Sequence, residues 1–262
     1  MESLKEIFLS GNGGVISLVG AGGKTSLMFR IAREAFIAGE SVLTTTTTRI
    51  MVPEKKQSSE IVIAATSKSV LEKAAVLMKT NLHLTAVSAA HHEGDKLVGF
   101  ESVAIDELQQ SGLFRWILVE ADGAAKKWIK VPADHEPVIP KCTDRIIGVV
   151  GLKAVGKPLT AKWVFRPENF SKLTGLEPGA PVTVESVAIS ILDPKGILKG
   201  APPQAARYLF LNLAGDMRLL EYGRDLAQRL CRPGHRTTLK RVIIGHARDN
   251  PAVLEYFDIP LP

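Results

Sequence analysis

The sequence predicts an α/β fold of three layers, in which helices cover both faces of a mainly parallel sheet. Apolar, β-branched runs alternate with segments of helical spacing from residue 15 to residue 245. Two of these runs, at 15–19 and 116–119, are followed by glycines or acids, at the sheet edge where open α/β sheets bind ligands. No internal repeat or linker interrupts the alternation, so we expect one domain over 1–262.

Composition places the chain among ordinary globular proteins. It has 262 residues, 45% hydrophobic and 23% charged, and no apolar run reaches the ~18 residues of a membrane span. The N-terminus has no signal-peptide layout, so we expect a cytoplasmic protein without a membrane partner. Cys142 and Cys231 lack the paired spacing of a zinc or redox motif. The net charge of +6 permits an acidic partner: a nucleotide, a nucleic acid or a protein surface.

The strongest motif is a glycine turn between a strand and a helix. The apolar run 15–19 leads into Gly20, Ala21, Gly22 and Gly23, and a segment of helical spacing follows over 24–38. Glycines let backbone N–H groups converge on an anion, and a helix N-terminus adds unpaired donors and a favourable dipole. We expect these residues to cradle phosphate with Lys24, Thr25 and Ser26. Lys24 would reach the terminal phosphates, and the Thr25 hydroxyl would bind Mg²⁺.

The match to the usual phosphate-loop pattern is incomplete. Counting back from Gly23 puts Leu18 where the first glycine belongs. Either the loop is contracted or Gly20 makes its first turn. The context still predicts a P-loop NTPase-like domain, and the alternative is an ordinary strand-to-helix turn whose lysine faces solvent.

A second motif supplies carboxylates. The run 116–119 is followed by Glu120, Asp122 and Gly123, and the spacing places both acids on one face of an extended chain. In a nucleotide hydrolase one such carboxylate holds Mg²⁺ and the other positions or activates water. We assign Mg²⁺ to Glu120 with Thr25, and catalysis to Lys24, Glu120 and Asp122. Two solvated acids at a strand end are the alternative.

The other elements follow from apolar periodicity and turn residues. Further strands are expected at 41–48, 60–65, 82–87, 144–151, 207–213 and 242–245. Further helices are expected at 67–79 with Ser67 as N-cap, and at 104–110, 168–173, 184–192 and about 216–230. In the first helix we expect five buried side chains: Leu27, Met28, Ile31, Ala35 and Phe36. Gly39 is the expected C-cap, and the proline-broken segment 124–140 is expected to be a loop or lid.

Two polar stretches leave alternatives open. The hydroxyls of Thr46, Thr47 and Thr48 lie past the expected strand, where they could bind a ligand or simply form the sheet edge. The sequence at 91–95, His-His-Glu-Gly-Asp, contains metal-ligand types. However, adjacent histidines point to opposite sides of a regular element and Gly-Asp marks a turn, so we favour the turn.

Several blocks together resemble YqeC-type proteins, which are accessory proteins of selenium-dependent molybdenum hydroxylases. The resemblance covers most of residues 12–216. Its blocks are Leu18–Thr25, the threonine run to Ile50 with Pro53, Leu118–Gly123, Pro132–Pro140, Gly148–Gly151, Gly156–Leu159 and Arg166–Glu168.

This resemblance implies a cytoplasmic P-loop protein that binds, and is expected to hydrolyse, ATP or GTP with Mg²⁺. It implies a role in making or inserting the selenium-containing molybdenum cofactor. The expected client is a molybdenum hydroxylase or a cofactor-handling protein.

The chain departs from the family pattern at two places. Relatives tend to carry Asn-Lys-x-Asp after the late strand, whereas this chain has Asn212 and Asp216 without the lysine and one residue further apart. We expect these two residues to contact the base, with the choice between adenine and guanine left open. Phe165 stands where the family pattern leads us to expect a histidine.

Two other functions compete with the nucleotide hydrolase. A small-molecule kinase or transferase would use Asp122 to accept a substrate proton, and Lys126, Lys127, Lys130 or Arg166 to hold an anionic substrate. A non-catalytic binding module would use the basic stretch 229–241. No recognised nucleic-acid motif accompanies that stretch, so we expect no specific nucleic-acid partner.

Overall fold

The computed structural model describes residues 2–90, 96–212, 215–232 and 238–259. The strands in chain order are β1 Gly14–Gly20, β2 Val42–Thr46, β3 Arg49–Met51, β4 Ile61–Ile63, β5 His83–Val87, β6 Ala89–Ala90, β7 Lys96–Val98, β8 Trp116–Glu120, β9 Ile129–Lys130, β10 Thr143–Gly151, β11 Val164–Phe165, β12 Ala206–Asn212, β13 Leu239–Gly245 and β14 Val253–Asp258. The helices are α1 Leu4–Phe8, α2 Lys24–Ile37, α3 Ser67–Leu77, α4 Ser102–Gln110, α5 Pro167–Thr174, α6 Val184–Leu192 and α7 Met217–Leu230.

One nine-stranded sheet organises the described chain, in the order β14-β13-β12-β10-β1-β8-β2-β5-β4. Every neighbouring pair in it is parallel except β13 and β14. Strand β1 occupies the centre, between β8 and β10. The predicted α/β class with a mainly parallel sheet is therefore confirmed.

Helices flank both faces of this sheet because its central strands are apolar on both sides. In β1 the side chains of Val15 and Val19 join one core, and those of Ile16 and Leu18 join the other. The first core includes buried residues of α3 to α7, and the second includes residues of α1 and α2. This is the predicted three-layer arrangement.

Local details of two helices differ from the predictions. Helix α2 buries Leu27, Met28, Ile31 and Ala35 as expected, and Gly39 follows it with φ +77°. However, the Phe36 side chain is 45% exposed, because its position lies outside the buried stripe of the helix. Helix α3 is capped by Thr66, whose hydroxyl accepts a hydrogen bond from the Ser69 N–H, so the prediction of Ser67 as N-cap was wrong.

Six strands of the described chain were not predicted. Strand β14 adds an antiparallel edge beside β13, strands β3, β7 and β6 form a separate three-stranded sheet, and β9 pairs with β11. The 124–140 segment is otherwise irregular, as expected. The histidine pair at 91–95 lies outside the described residues. No helix in the described ranges is long and apolar enough to cross a membrane.

Candidate phosphate-binding site

Parallel pairing brings the carboxyl ends of the central strands to one edge of the sheet. The register aligns Leu18 of β1 with Glu120 of β8, and Gly20 with Val149 of β10. On the far side, Gly151 of β10 aligns with Asn212 of β12. The glycine loop, the acidic strand end and Asn212 therefore lie at the same edge.

The glycine loop has a backbone conformation that other residues rarely adopt. Gly20, Gly22 and Gly23 have φ values of +91°, +89° and +124°. A Cβ on Gly22 would lie 2.4 Å from the Gly151 nitrogen, and one on Gly23 would lie 2.1 Å from Asn212 Nδ2. Both glycines are thus required by backbone angle and by close packing.

The loop and the start of α2 present backbone N–H groups that no described residue accepts. The Gly20 N–H donates to Asp122 Oδ2 at 3.1 Å and the Ala21 N–H donates to Val149 O at 2.9 Å. The next backbone bond runs from the Leu27 N–H to Gly23 O at 2.9 Å. The five amides from Gly22 to Ser26 lie between these bonds and have no acceptor within the described chain. Such an array of converging donors at a helix N-terminus suits an anion.

The side chain of Lys24 lies inside the site rather than in solvent. Its Nζ donates to Gly20 O at 2.8 Å and lies 3.0 Å from Asp122 Oδ1 and 3.7 Å from Glu120 Oε1. Burial alone would lower the pKa of Lys24, but the charges of Asp122 and Glu120 outweigh it and raise the pKa above its ordinary value. Lys24 is therefore a buried cation, and the expectation of a solvent-facing lysine in the alternative interpretation is wrong.

The two acids are also buried, so the alternative of solvated acids is wrong. Glu120 is 6% exposed and Asp122 is 1% exposed. The Thr25 hydroxyl donates to Glu120 Oε2 at 2.6 Å. Burial raises the pKa of Glu120, and the opposing effects of Lys24 and Thr25 only reduce that rise.

The oxygen donors of Thr25 and Glu120 fit Mg²⁺ only if phosphate oxygens and water complete its coordination. The Thr25 hydroxyl and the Glu120 carboxylate are the hard oxygen donors that Mg²⁺ prefers. Asp122 Oδ1 is buried and makes an ionic contact with Lys24, but it accepts no directional hydrogen bond. No group of three or more His, Cys, Asp or Glu in the described ranges could hold a metal by itself. The residues therefore fit an ion held jointly with phosphate oxygens and water, as Mg²⁺ commonly is.

A second buried lysine extends the charge network away from the loop. The Lys130 side chain has no exposed surface, and its Nζ lies 2.7 Å from Gly123 O, 3.1 Å from Asp122 Oδ2 and 2.9 Å from Glu136 Oε2. Arg166 Nη1 reaches the same Glu136 oxygen at 2.6 Å. Burial would raise the pKa of Glu136, but Lys130 and Arg166 outweigh that effect and lower it.

Asn212 braces the loop. Its Nδ2 donates to Gly22 O at 2.6 Å, and its Oδ1 accepts from the Ala247 N–H at 3.0 Å. Asp216 lies at the start of α7, where its Oδ1 accepts from the Arg218 N–H. Ser26 Oγ accepts from Arg248 Nε at 3.1 Å. The contact of Asn212 and Asp216 with a base stays a prediction.

Comparison with known proteins identifies the family. The family model described as "YqeC protein" matches residues 16–168. The chain is also similar to a protein of Escherichia coli (strain K12) described as "Uncharacterized protein YqeC", with 32% identity over 244 residues. The aligned part covers 93% of this chain and 91% of the relative. The chain belongs to the YqeC family.

In this YqeC-family protein the hydroxyls of the threonine run make hydrogen bonds within the protein at the sheet edge. The Thr46 hydroxyl donates to Glu120 O at 2.7 Å, and the Thr47 hydroxyl donates to Val138 O at 2.8 Å. Thr48 is bonded to Thr46. These contacts favour a role in forming the sheet edge over ligand binding, since they fix the end of the strand that carries Glu120.

The sequence did not reveal the structural part that Lys130 and Glu136 play in this member of the YqeC family. The sequence predicts for Lys130 only the holding of an anionic substrate by a kinase or transferase, and its complete burial and its bonds to protein oxygens oppose that role. An isolated Lys or Glu in a proline-broken loop gives no local signal of an ion pair. The nearest available clue was the pairing of opposite charges within six residues of each other.

Proposed function

We propose that this protein binds and hydrolyses a nucleoside triphosphate, ATP or GTP, with Mg²⁺. One observation carries the proposal: the five amides from Gly22 to Ser26 have no acceptor in the described chain, and the buried, charged Lys24 lies among them in sequence at the start of α2. Donors of this kind are arranged for a polyanion, and the buried lysine adds the charge that terminal phosphates need. The fold would then be that of a P-loop NTPase-like domain spanning 1–262.

Each side chain has a defined part in this proposal. Lys24 exchanges its bond to the Gly20 carbonyl for a terminal phosphate oxygen, and the amides from Gly22 to Ser26 hold the remaining phosphate oxygens. When bound, Mg²⁺ supplies charge neutralisation beside Thr25 and Glu120. Asp122 is held by the Gly20 N–H and by Lys130, which leaves Oδ1 to orient the attacking water.

The biological role we propose follows from family membership together with this site. The protein would act in the cytoplasm as an accessory protein in maturation or insertion of the selenium/molybdenum cofactor of molybdenum hydroxylases. Its client would be such a hydroxylase or a cofactor-handling protein. Hydrolysis would then time a contact with the client, as in nucleotide-dependent switches.

The first experiment is a titration of the purified protein with ATP and GTP, with and without Mg²⁺. We expect Lys24→Ala to weaken triphosphate binding by about 10–100-fold, since it removes a charged hydrogen bond worth roughly 1.5–3 kcal/mol. Lys68→Ala, on the exposed side of α3, is the matched control and should bind as the original protein does. The ratio of ATP to GTP affinity tests base selection.

A second variant is needed because Lys24→Ala removes the cation that two buried acids share and could therefore disturb folding. Thr25→Val keeps the branched shape of the side chain, replaces the hydroxyl with a methyl group and removes its hydrogen bond to Glu120. It should retain phosphate contacts and lose the Mg²⁺-dependent part of the affinity. Folded variants that bind triphosphate as tightly as the original protein, with the same Mg²⁺ dependence, would overturn the proposed function.

A further inference from the structure

Two segments beside the glycine loop contain the chain's main excess of positive charge. Residues 124–130 and 152–166 together contain no Asp or Glu. Their basic residues are Lys126, Lys127, Lys130, Lys153, Lys157, Lys162 and Arg166. These seven charges exceed the +6 net charge of the whole chain, so the remainder is close to neutral.

The two segments form one continuous surface. Strands β9 and β11 pair in parallel, and the Trp128 N–H donates to Trp163 O at 3.0 Å. The Gly151 N–H donates to Trp128 O at 2.8 Å, which places this surface directly against the end of β10 and the loop at Gly22. The surface is therefore contiguous with the candidate phosphate site.

Five of the seven cations have no acid to pair with among the residues that the structure describes. Lys130 and Arg166 bind Glu136, but the remaining five have no carboxylate oxygen within 4.0 Å in the described chain. We call these five the lysine surface: Lys126, Lys127, Lys153, Lys157 and Lys162. Lys127 is half-buried and the other four are exposed. Unpaired like charges this close in sequence repel one another, which a partner of opposite charge would relieve.

Aromatic rings hold three of these ammonium groups in place. Lys153 Nζ lies 5.3 Å from the centre of the Trp128 ring. Lys157 and Lys162 lie 5.5 and 5.3 Å from the centre of the Trp163 ring. Cation–π contacts restrict long side chains that would otherwise be mobile, so less rotamer entropy is lost when a partner binds.

The backbone of the same surface is strained. The non-glycine residues with positive φ in the described chain are Ala125 at +43°, Lys126 at +59° and Arg166 at +53°. All three belong to these two segments. Strain of this kind persists where surrounding structure enforces it, and it is concentrated at binding sites.

We infer that the lysine surface docks an acidic segment of a partner protein. Charge complementarity identifies the partner's chemistry, because the surface offers only cations and carboxylates are their natural protein partners. Single-stranded nucleic acid fits less well, because it needs open aromatic faces for base stacking and the rings of Trp128 and Trp163 already carry lysines.

The test uses a fluorescent poly-glutamate peptide of about 20 residues as the acidic probe, at about 0.15 M salt where exposed charges are screened beyond about 8 Å. The surface variant is Lys153→Gln with Lys157→Gln and Lys162→Gln. The matched control replaces three exposed lysines elsewhere, Lys68, Lys79 and Lys195, with glutamine and changes the net charge equally. We expect the surface variant to bind the peptide about tenfold more weakly, which is about 1.4 kcal/mol or roughly 0.5 kcal/mol for each of the three pairs, and the control to bind as the original protein does.

Two results would overturn the inference. If the surface and control variants lost peptide affinity equally, the peptide would be attracted by the net charge of the protein alone. A single-stranded RNA of the same charge that bound more tightly than the peptide, through the same three lysines, would assign the surface to nucleic acid. The peptide assay contains no nucleotide, so its result can be interpreted even if the protein does not hydrolyse a nucleoside triphosphate. All six lysines are exposed, so both variants are expected to fold.

Discussion

Two buried lysines share one carboxylate at the centre of the site. Asp122 lies between Lys24 and Lys130, at 3.0 Å from one Nζ and 3.1 Å from the other. Charges withdrawn from water are tolerated only when each is paired and hydrogen-bonded. Lys130 can therefore balance Asp122 when Lys24 turns toward a phosphate. In this arrangement the loop can receive a ligand without leaving a buried acid unpaired.

At the residue scale, we predict that Lys130→Met destabilises the fold by about 3–5 kcal/mol. The substitution preserves side-chain volume but removes the buried cation that Asp122 and Glu136 share, so that Asp122 keeps only Lys24 and Glu136 keeps only Arg166. Urea unfolding followed by circular dichroism measures the change. Arg166→Met is the matched control at the more exposed end of the same network, where the arginine side chain is 27% exposed, and its expected loss is about 0–1 kcal/mol.

A double variant tests whether charge rather than packing explains the Lys130 effect. Lys130→Met with Glu136→Gln also removes one of the two carboxylates that lose Lys130, so it should recover part of the stability lost in the single variant. If the single variant loses less than about 1 kcal/mol, or the double variant recovers nothing, the ionic account of Lys130 is wrong.

At the element scale, strand β5 contains a titratable group in the core. His83 is 7% exposed, and its Nε2 lies 3.1 Å from the Thr44 hydroxyl of β2. Burial lowers the pKa of His83 from 6.5 to about 4. Between those two pH values the unfolded chain binds a proton that the folded chain does not, so stability falls as the pH falls.

We therefore predict a pH-dependent loss of stability that depends on His83. As the pH falls from 6.5 to 4, His83 should lower the free energy of unfolding by about 3 kcal/mol, because each unit of pKa shift corresponds to about 1.36 kcal/mol. Urea unfolding at several pH values in this window should show a shallower slope in His83→Gln than in the original protein. Parallel pH profiles for the two proteins would contradict the assignment to His83.

Sequence periodicity predicted the buried central strands and missed the two-residue strands for a physical reason. Strands β1, β8 and β10 are buried on both faces, so each appears as an apolar run. Strands β6 and β9 have two residues each, which is too few for any period to show. Phe36 lies one position beyond the last buried residue of α2, a boundary that apolar character alone could not locate.

The same limit applies to the candidate site. Lys24, Glu120 and Asp122 were found because strand, turn and helix order predicts which side chains meet at one sheet edge. The bond from Asn212 to the Gly22 carbonyl joins residues 190 positions apart, so no local pattern reports it. Lys130 is as basic in sequence as the exposed Lys126 and the half-buried Lys127, and only the tertiary fold distinguishes the fully buried residue.

At the scale of the whole molecule, the site joins distant parts of the chain. The glycine loop contacts Asp122 of the segment after β8, Gly151 at the end of β10 and Asn212 at the end of β12. A ligand that binds this loop therefore stabilises contacts between strands separated widely in sequence. Binding to the native state alone adds RT ln(1 + [L]/Kd) to the free energy of unfolding, about 2.7 kcal/mol at 100 times Kd.

We predict that ATP or GTP with Mg²⁺ raises the Tm of the protein by about 5–10 °C at that concentration. A protein of this length shifts by about 2–4 °C for each kcal/mol. Differential scanning fluorimetry measures the shift, with Lys24→Ala as the variant that should lose it. Glu120→Gln should keep most of the shift while hydrolysis slows, because it retains the loop amides and Lys24. A Tm unmoved by either nucleotide, in a protein that unfolds reversibly, would leave the five unpaired amides to bind some other anion.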